Sequence, residues 1–206
     1  MSTATRRAPH GPAARAGNLA AAGEDELVRR AQDGDSAAFG ELAGRHSSLL
    51  RRVLFRIAKD CEQAWDAMQE ALLRAWNNIG RFERRSKFST WLTRIGINEL
   101  YSELRRARPE TVELDDSVGE RVPDWGAGTD RAVESQEFLA AIERGLEQLP
   151  VHYREAVILR DVEGFSTREA AAIVGVGERS FKSRLHRGRM SLRSGLDQFF
   201  EEGYVR

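Results

Sequence analysis

Apolar residues recur at steps of three and four along most of the chain, and no convincing strand alternation appears. Glu24-Asp25-Glu26 place three acids where the first turn of a helix favours them, and Leu27, Val28 and Ala31 follow as its apolar side. Asp33-Gly34-Asp35 ends that helix. Asp35 or Ser36 is suited to cap the next, which runs to about Lys59 on Phe39, Leu42, Leu49, Leu50, Val53, Leu54 and Ile57. After a break at Asp60-Cys61-Glu62, a helix from about Glu62 to Ile79 puts Ala64, Trp65, Met68, Ala71, Leu72, Ala75, Trp76 and Ile79 on one broad core face. Gly80 stops it. A further helix runs from Ser89 or Thr90 to about Arg106. Its early apolar residues Trp91, Leu92 and Ile95 point away from Ile97, Leu100, Tyr101 and Leu104, so it packs on two sides. Beyond residue 130, Val133, Phe138, Leu139, Ile142, Leu146 and Leu149 mark a helix closed by Pro150. Val151–Val162 forms the next, with Tyr153, Ala156, Val157, Ile158 and Leu159 as core, and Gly164 breaks it.

The pattern then changes character. Thr167–Val174 reads as a short helix with Ser166 or Thr167 as its cap, and Gly175 and Gly177 allow a sharp bend around Val176. From Glu178 a long helix follows. Phe181, Leu185, Gly188, Leu192, Leu196 and Phe199 form its buried stripe, while Arg179, Lys182, Ser183, His186 and Arg187 fall opposite. Between Arg179 and Arg193 there are six basic residues and no acid. A solvated face normally mixes signs. A short helix, a tight turn and a helix with a cationic outer face is the layout of a DNA-reading helix-turn-helix.

Net charge alone would hide this. Lys and Arg number 32, Asp and Glu 32, so the formal charges cancel. Their distribution is uneven. Arg81–Arg108 carries eight bases against three acids, whereas Glu110–Glu137 carries nine acids against two bases. Two basic units thus flank an acidic spacer. The expected architecture is all-α, with two small helical domains, an N-terminal helical bundle and a C-terminal helix-turn-helix, joined by an acidic flexible linker. The boundaries are a disordered tail at 1–22, a first domain at 23–108, the linker at 109–130 and a second domain at 131–206.

Three surfaces carry candidate chemistry. On the 62–79 helix, Asp66, Glu70, Leu73 and Asn77 lie opposite the core face with Gln69 at its edge. A leucine within an acidic exposed face suits either a partner surface or an ordinary solvated helix. The loop RFERRSKFS, residues 81–89, mixes cations with Phe82 and Phe88, and Arg94, Asn98, Tyr101 and Arg105 share one face of the following helix. Cations interleaved with aromatics suit phosphates and unstacked bases. Phe82 and Phe88 are the better stacking candidates, and Trp91 is expected to be core with some lining of a DNA surface. The third surface is the basic face of the last helix. The histidines at 10, 46, 152 and 186 show no metal-ligand spacing, and no glycine-rich phosphate loop or nucleophile motif appears, so enzyme chemistry has no support in the residues. The single cysteine, Cys61, permits no internal disulfide and is expected to be small and buried or half-buried. No apolar run approaches a membrane span and no secretory signal is evident, which fits a cytoplasmic protein.

Several stretches, in a fixed order, resemble the extracytoplasmic-function (ECF) group of bacterial RNA polymerase sigma factors, over roughly residues 24–197. AWDAMQEALLRAWNNIGRF, residues 64–82, is similar to the family's polymerase-binding helix. KFSTWLTRIGINELYSELRR, residues 87–106, is similar to its −10 helix. LPVHYREAVILRDVEGFSTREAAAIVGVGERSFKSRLHRGRMSLR, residues 149–193, is similar to its −35 domain. The resemblance implies that Asp66, Gln69, Glu70, Leu73 and Asn77 meet the β′ clamp helices of core RNA polymerase. It implies that the loop with Phe82, Arg84, Arg85, Ser86, Lys87 and Phe88 captures a base flipped from the −10 element, with Trp91, Arg94, Asn98, Tyr101, Arg105 and Arg106 along the DNA. It places Thr167, Arg179, Ser180, Lys182, Ser183, Arg184, His186, Arg187 and Arg189 at the −35 element. The domains at 23–108 and 131–206 become sigma domains 2 and 4. The implied function is initiation at specific promoters, with an anti-sigma factor as a partner, no cofactor and no catalysis. The chain departs from the family's pattern at Trp65, commonly an acid, at the strongly basic Arg84–Lys87, and at Ser180-Phe181, often Thr-Val; Phe181 is expected to tilt its helix. The alternative is a dimeric helix-turn-helix regulator acting without polymerase. It accounts for the C-terminal unit but not for the second basic, aromatic unit or the acidic linker.

Overall fold

A computed structural model describes residues 19–107 and 136–203, with side chains at 19–106 and 139–196; among the described residues there are helices and turns and no strand. The expected tail and linker otherwise lie outside these residues, as do the side chains of Val133, Phe138 and Phe199.

The N-terminal unit packs α1 (Glu24–Gln32), α2 (Ser36–Ala58), α3 (Cys61–Asn78) and α4 (Phe88–Ala107), with a 3-10 turn at Ile79–Arg81 after α3. Asp35 is the cap expected for α2, accepting from the Ala37 and Ala38 amides at 3.1 Å each. Asp60 caps α3 through the Glu62 amide at 2.8 Å, so the break before α3 is shorter than expected and Cys61 opens the helix, exposed rather than buried. Order also begins earlier than Glu24. Leu19 is buried in the core, and Arg45 binds the carbonyls of Leu19, Ala20 and Ala22 at 2.8–3.0 Å. A cationic fork offers several donors at once, which is how one side chain fastens a whole turn. The α2 and α4 axes approach closely at Gly96, where a Cβ would stand 2.6 Å from Leu50 Cδ1.

The C-terminal unit holds α5 (Gln136–Gln148), α6 (Val151–Val157), a π-helical turn Ile158–Val162, α7 (Thr167–Val174) and α8 (Glu178–Gly203). The expected helix Val151–Val162 is thus continuous but changes winding midway. Leu139, one of the apolar residues that mark the first of these helices, is exposed. The helix-turn-helix is built as its residues dictate. Ser166 Oγ accepts from the Glu169 amide at 3.2 Å while the Ser166 amide donates to Glu169 Oε2 at 2.9 Å, a reciprocal capping box. Gly175 adopts the left-handed φ of 73° that closes α7, and Gly177 has no such requirement, so one of the two expected hinge glycines carries the bend. The buried stripe of α8 is as expected at Phe181, Leu185 and Gly188, with Leu192 half-buried. Phe181 fills the core completely. α8 meets α6 at Gly188, where a Cβ would be 2.8 Å from Val157 Cγ2 and 3.0 Å from the Tyr153 carbonyl oxygen.

The two units touch. α4 packs on α7, and α2 packs on α6 and the π-helical turn. Arg154, buried between them, donates to the Ile57 carbonyl at 2.6 Å and to the Leu149 carbonyl at 2.9 Å.

Candidate DNA and polymerase interfaces

The exposed side of α3 carries Asp66, Gln69, Leu73 and Asn77, with Glu70 half-buried beside them. Leu73 is 60% exposed, an apolar side chain left in water at a cost in free energy. It stands at the rim of an apolar groove of about 440 Å³ lined by Phe39, Leu72, Leu73 and Trp76 with Ser36 and Gln69. Phe39 and Trp76 form its floor with ring centroids 5.2 Å apart. Leu73 and Gln69 thus join this face of α3 to a hydrophobic recess, and the charge of the face is partly matched: Glu70 pairs with Arg74 at 3.2 Å. Arg74 also meets Glu99 of α4 at 3.1 Å, and burial raises the Glu99 carboxyl above its ordinary range. Trp65, expected in the core, is instead 47% exposed, edge-on to Phe55 at 5.4 Å. Its neighbours Ala64, Ala67 and Met68 fill the interior, leaving the larger ring outside.

At the loop between α3 and α4, Phe82, Phe88 and Trp91 form a closed triangle with centroid distances of 5.7, 5.1 and 5.5 Å. Phe82 and Phe88 are buried, which corrects their reading as free stacking platforms; Trp91 is half-buried as expected. Aromatic rings in mutual edge and tilted contact satisfy one another and hold the loop's base. Gln32 pins the same loop, donating to the Ile79 and Phe82 carbonyls at 3.2 and 2.9 Å. Above the triangle the cations stand out. Arg84, at a left-handed φ of 57°, Arg85, Ser86 and Lys87 are all exposed. They rim a cavity of about 770 Å³ whose walls include Phe82, Thr90, Trp91 and Arg94, and, from the C-terminal unit, Arg168 and Glu169. Thr90 Oγ1 is buried there without a hydrogen-bond partner. The cations are not all idle: Arg85 pairs with Glu83 at 2.8 Å and Lys87 with Glu169 at 2.9 Å. That lysine and the Ser166 backbone and hydroxyl hold the Glu169 carboxyl down at about 2, the Ser166 amide contributing most. Along α4, Arg94, Asn98 and Arg105 are exposed on one face, and Arg106 pairs with Glu103.

Tyr101, on that same face, is covered. Its hydroxyl donates to Glu155 Oε2 at 2.6 Å, and burial beside this carboxylate raises the phenol well above its usual range. Glu155 Oε1 lies 3.6 Å from Arg184. Arg184, expected to face DNA, is 8% exposed, because residue 184 sits one helical turn from the buried Phe181 and Gly188 on the inner side of α8. The remaining cations of α8 do face outward: Arg179 and Lys182 are exposed, and Ser180, Ser183, His186 and Arg187 are half-exposed with Thr167. Arg187 reaches the Tyr153 hydroxyl at 3.3 Å, and Arg189 is held by both oxygens of Asp161 at 2.6 and 2.9 Å. The residues that the sequence reading passed over are Arg154, Glu155 and Glu163. Glu155 lies within about 60° of both Ile158 and Leu159 on a 100° helical wheel, so a charge on the apolar face was the available signal.

Among the described residues, no helix is long and apolar enough to cross a membrane, and no group of His, Cys, Asp and Glu gathers as a metal site.

Known proteins share this layout. The Sigma-70 region 2 family matches residues 42–110, and the Sigma-70, region 4 family matches residues 139–192. The ECF RNA polymerase sigma factor SigM of Mycobacterium tuberculosis is 36% identical over 168 residues, covering 81% of this chain and 81% of its own. The ECF RNA polymerase sigma-E factor of Escherichia coli is 30% identical over 173 residues, covering 81% and 90%. Among solved structures, the sigma factor RpoE of Bartonella quintana, in complex with the anti-sigma factor NepR, aligns with a TM-score of 0.59 at 30% identity over 77% of this chain and 96% of its own. CnrH, in complex with the cytosolic domain of CnrY, aligns with a TM-score of 0.60 at 26% identity over 85% and 97%. Two helical units in this order, one with an exposed leucine beside an apolar recess and one with a helix of cationic outer face, accompany those matches, and the chain belongs to the ECF family of RNA polymerase sigma factors.

Proposed function

We propose that residues 23–108 join this sigma factor to core RNA polymerase and hold the −10 element, that residues 131–206 read the −35 element, and that residues 109–130 connect the two. It acts as an initiation factor in the cytoplasm and not as an enzyme. Polymerase docks on the α3 rim through Asp66, Gln69, Glu70, Leu73 and Asn77. The observation that carries this reading is Leu73, exposed over a recess lined by Phe39, Leu72 and Trp76 with Ser36 and Gln69 as its polar members. An exposed apolar patch with a polar rim is the anatomy of a protein-docking site. The basic loop at 84–87 and Arg94, Asn98, Arg105 and Arg106 attract the −10 strand, and the cavity beside Trp91 offers room for an extruded base. Arg179, Lys182, Ser183, His186 and Arg187 present the outward face of α8 to the −35 major groove. An anti-sigma factor is the expected regulator, since the aligned RpoE structure is a complex with one. Run-off transcription with purified core polymerase tests the whole reading. Addition of the protein directs initiation from specific start sites; failure to bind core or to select a start overturns it.

A further inference from the structure

The segment that presents Arg84, Arg85, Ser86 and Lys87 has no helix of its own, so its place is set by what holds its ends. Beneath it lies the aromatic triangle of Phe82, Phe88 and Trp91. Its main chain is held from a different element. Gln32, half-buried at the end of α1, donates through Nε2 to the Phe82 carbonyl at 2.9 Å and to the Ile79 carbonyl at 3.2 Å. Two carbonyl partners require the amide nitrogen at that position, which leaves Oε1 to accept from Arg84 Nη2 at 3.5 Å. The Ile79 carbonyl also accepts from the Phe82 amide at 3.0 Å, so a tight turn and a side chain share its two lone pairs. α1 is a firm support for this. Leu27, Val28 and Ala31 are buried, and Arg30 Nε donates to Asp35, the cap of α2, at 2.9 Å.

We propose that Gln32 is a positioning residue for −10 recognition: by holding the Ile79 and Phe82 carbonyls it fixes the base of the 84–87 loop, and so sets specificity without being part of the DNA surface. This rests on the reading of that loop as the −10 surface. Arg84 depends most on the support. It adopts a left-handed φ of 57°, which a residue with a Cβ keeps only where its surroundings hold it. The contact with Asp25 at 3.9 Å is too weak to do this, because the Asp25 side chain is 94% exposed. Gln32 instead fixes the chain two residues before Arg84 and meets its guanidinium with the same amide. A loop that is already in shape discriminates well, since none of the interaction with a captured base is spent on ordering the loop. A loop released from Gln32 still carries its cations and still attracts phosphates, but it loses the fixed geometry that separates one base from another. Gln32 lies on neither the α3 face nor the outward face of α8, so its loss bears on one of the three proposed contacts.

The test uses the full chain bound to core polymerase, with a library of random-sequence duplexes from which active promoters are selected by run-off transcription. The selected motif nearer the mapped start site reports the loop, and the upstream motif reports α8. Gln32→Met keeps the length of the side chain and removes all its hydrogen bonds. Gln32→Glu keeps the shape and the acceptor facing Arg84 but removes both donations to the carbonyls. Both variants are expected to lose base discrimination several-fold at the motif nearer the start, with discrimination at the upstream motif and affinity for core polymerase unchanged. A variant that merely weakened the fold would lower both motifs together. Wild-type discrimination at the nearer motif in either variant, or an equal loss at both motifs, overturns the role given to Gln32. Selection by the wild type separates this from the sigma-factor reading: two motifs selected by the wild type together with either of those results leaves the reading standing and the role of Gln32 refuted, and no motif selected by the wild type refutes the reading on which it rests.

Discussion

Gly188 shows how much one residue can decide. It sits in the buried stripe of α8 because the two helices approach until nothing larger than hydrogen fits beside Val157 and the Tyr153 carbonyl. Gly188→Ala improves helix propensity by roughly 1 kcal/mol but forces backbone apart at a contact that cannot flex. Overpacking of this kind costs about 1–3 kcal/mol, so thermal unfolding is expected several degrees lower. Arg187 is a different case, half-exposed and in reach of the Tyr153 hydroxyl. Arg187→Ala is expected to weaken −35 binding. Loss of discrimination at one base pair identifies a base contact, whereas a salt dependence reduced by about one ion identifies a phosphate contact. At this scale the sequence reading succeeded where helical phase alone decides, as for Arg179 and Lys182. It failed where a neighbour decides: Phe82 and Phe88 are buried because Trp91 completes their triangle, and Trp65 is exposed because smaller residues fill the space beneath it.

Elements were legible from local chemistry. α7 carries its own start and stop signals in Ser166, Glu169 and Gly175, and the observed helix has the expected bounds. Ser166→Ala removes the side-chain half of the capping box, leaving only the residue 166 amide to reach Glu169, and the chain is expected to lose about 1 kcal/mol in denaturant unfolding. The winding of Val151–Val162 was not legible, since a π-helical turn leaves the apolar spacing almost unchanged. α6 also holds the main pH-sensitive group. Burial lifts Glu155 to about 7, although Tyr101 of α4 and Arg184 of α8 both pull it down and Arg154 stands next to it in sequence. A carboxyl raised in the folded state stabilises fully below its unfolded value, and that contribution is lost as pH rises through the folded value. Stability should therefore fall between about pH 4.5 and 7 on this account, with Glu99 acting in the same direction. Thermal midpoints measured across this range should decline, and Glu155→Gln should flatten the decline; an equal slope in that variant would refute the assignment.

For the whole molecule, the decisive surface is the α3 rim. Asp66→Arg with Glu70→Arg places two cations on the α3 face that carries Leu73, and binding to core polymerase is expected to drop at least tenfold. Duplex affinity of the same full-length variant should not fall, because the substitutions lie away from α8. Polymerase binding equal to wild type would remove the role given to this face.

The sequence by itself determined what depends on neighbours a few positions away: helix after helix, the capping box, the bend at Gly175, the cationic phase of α8 and the acidic stretch between two basic ones. Periodicity and capping are local, so residue order suffices for them. Only the tertiary structure decided which charges remain free for a partner. Tyr101 and Arg184 turn inward because Glu155 from another helix needs partners in a place that water does not reach. Leu73 stands exposed at the rim of a recess that Phe39 of α2 and Leu72 and Trp76 of α3 line together. Burial of a charge and exposure of an apolar side chain are set by contacts between distant segments, and no spacing along the chain records them.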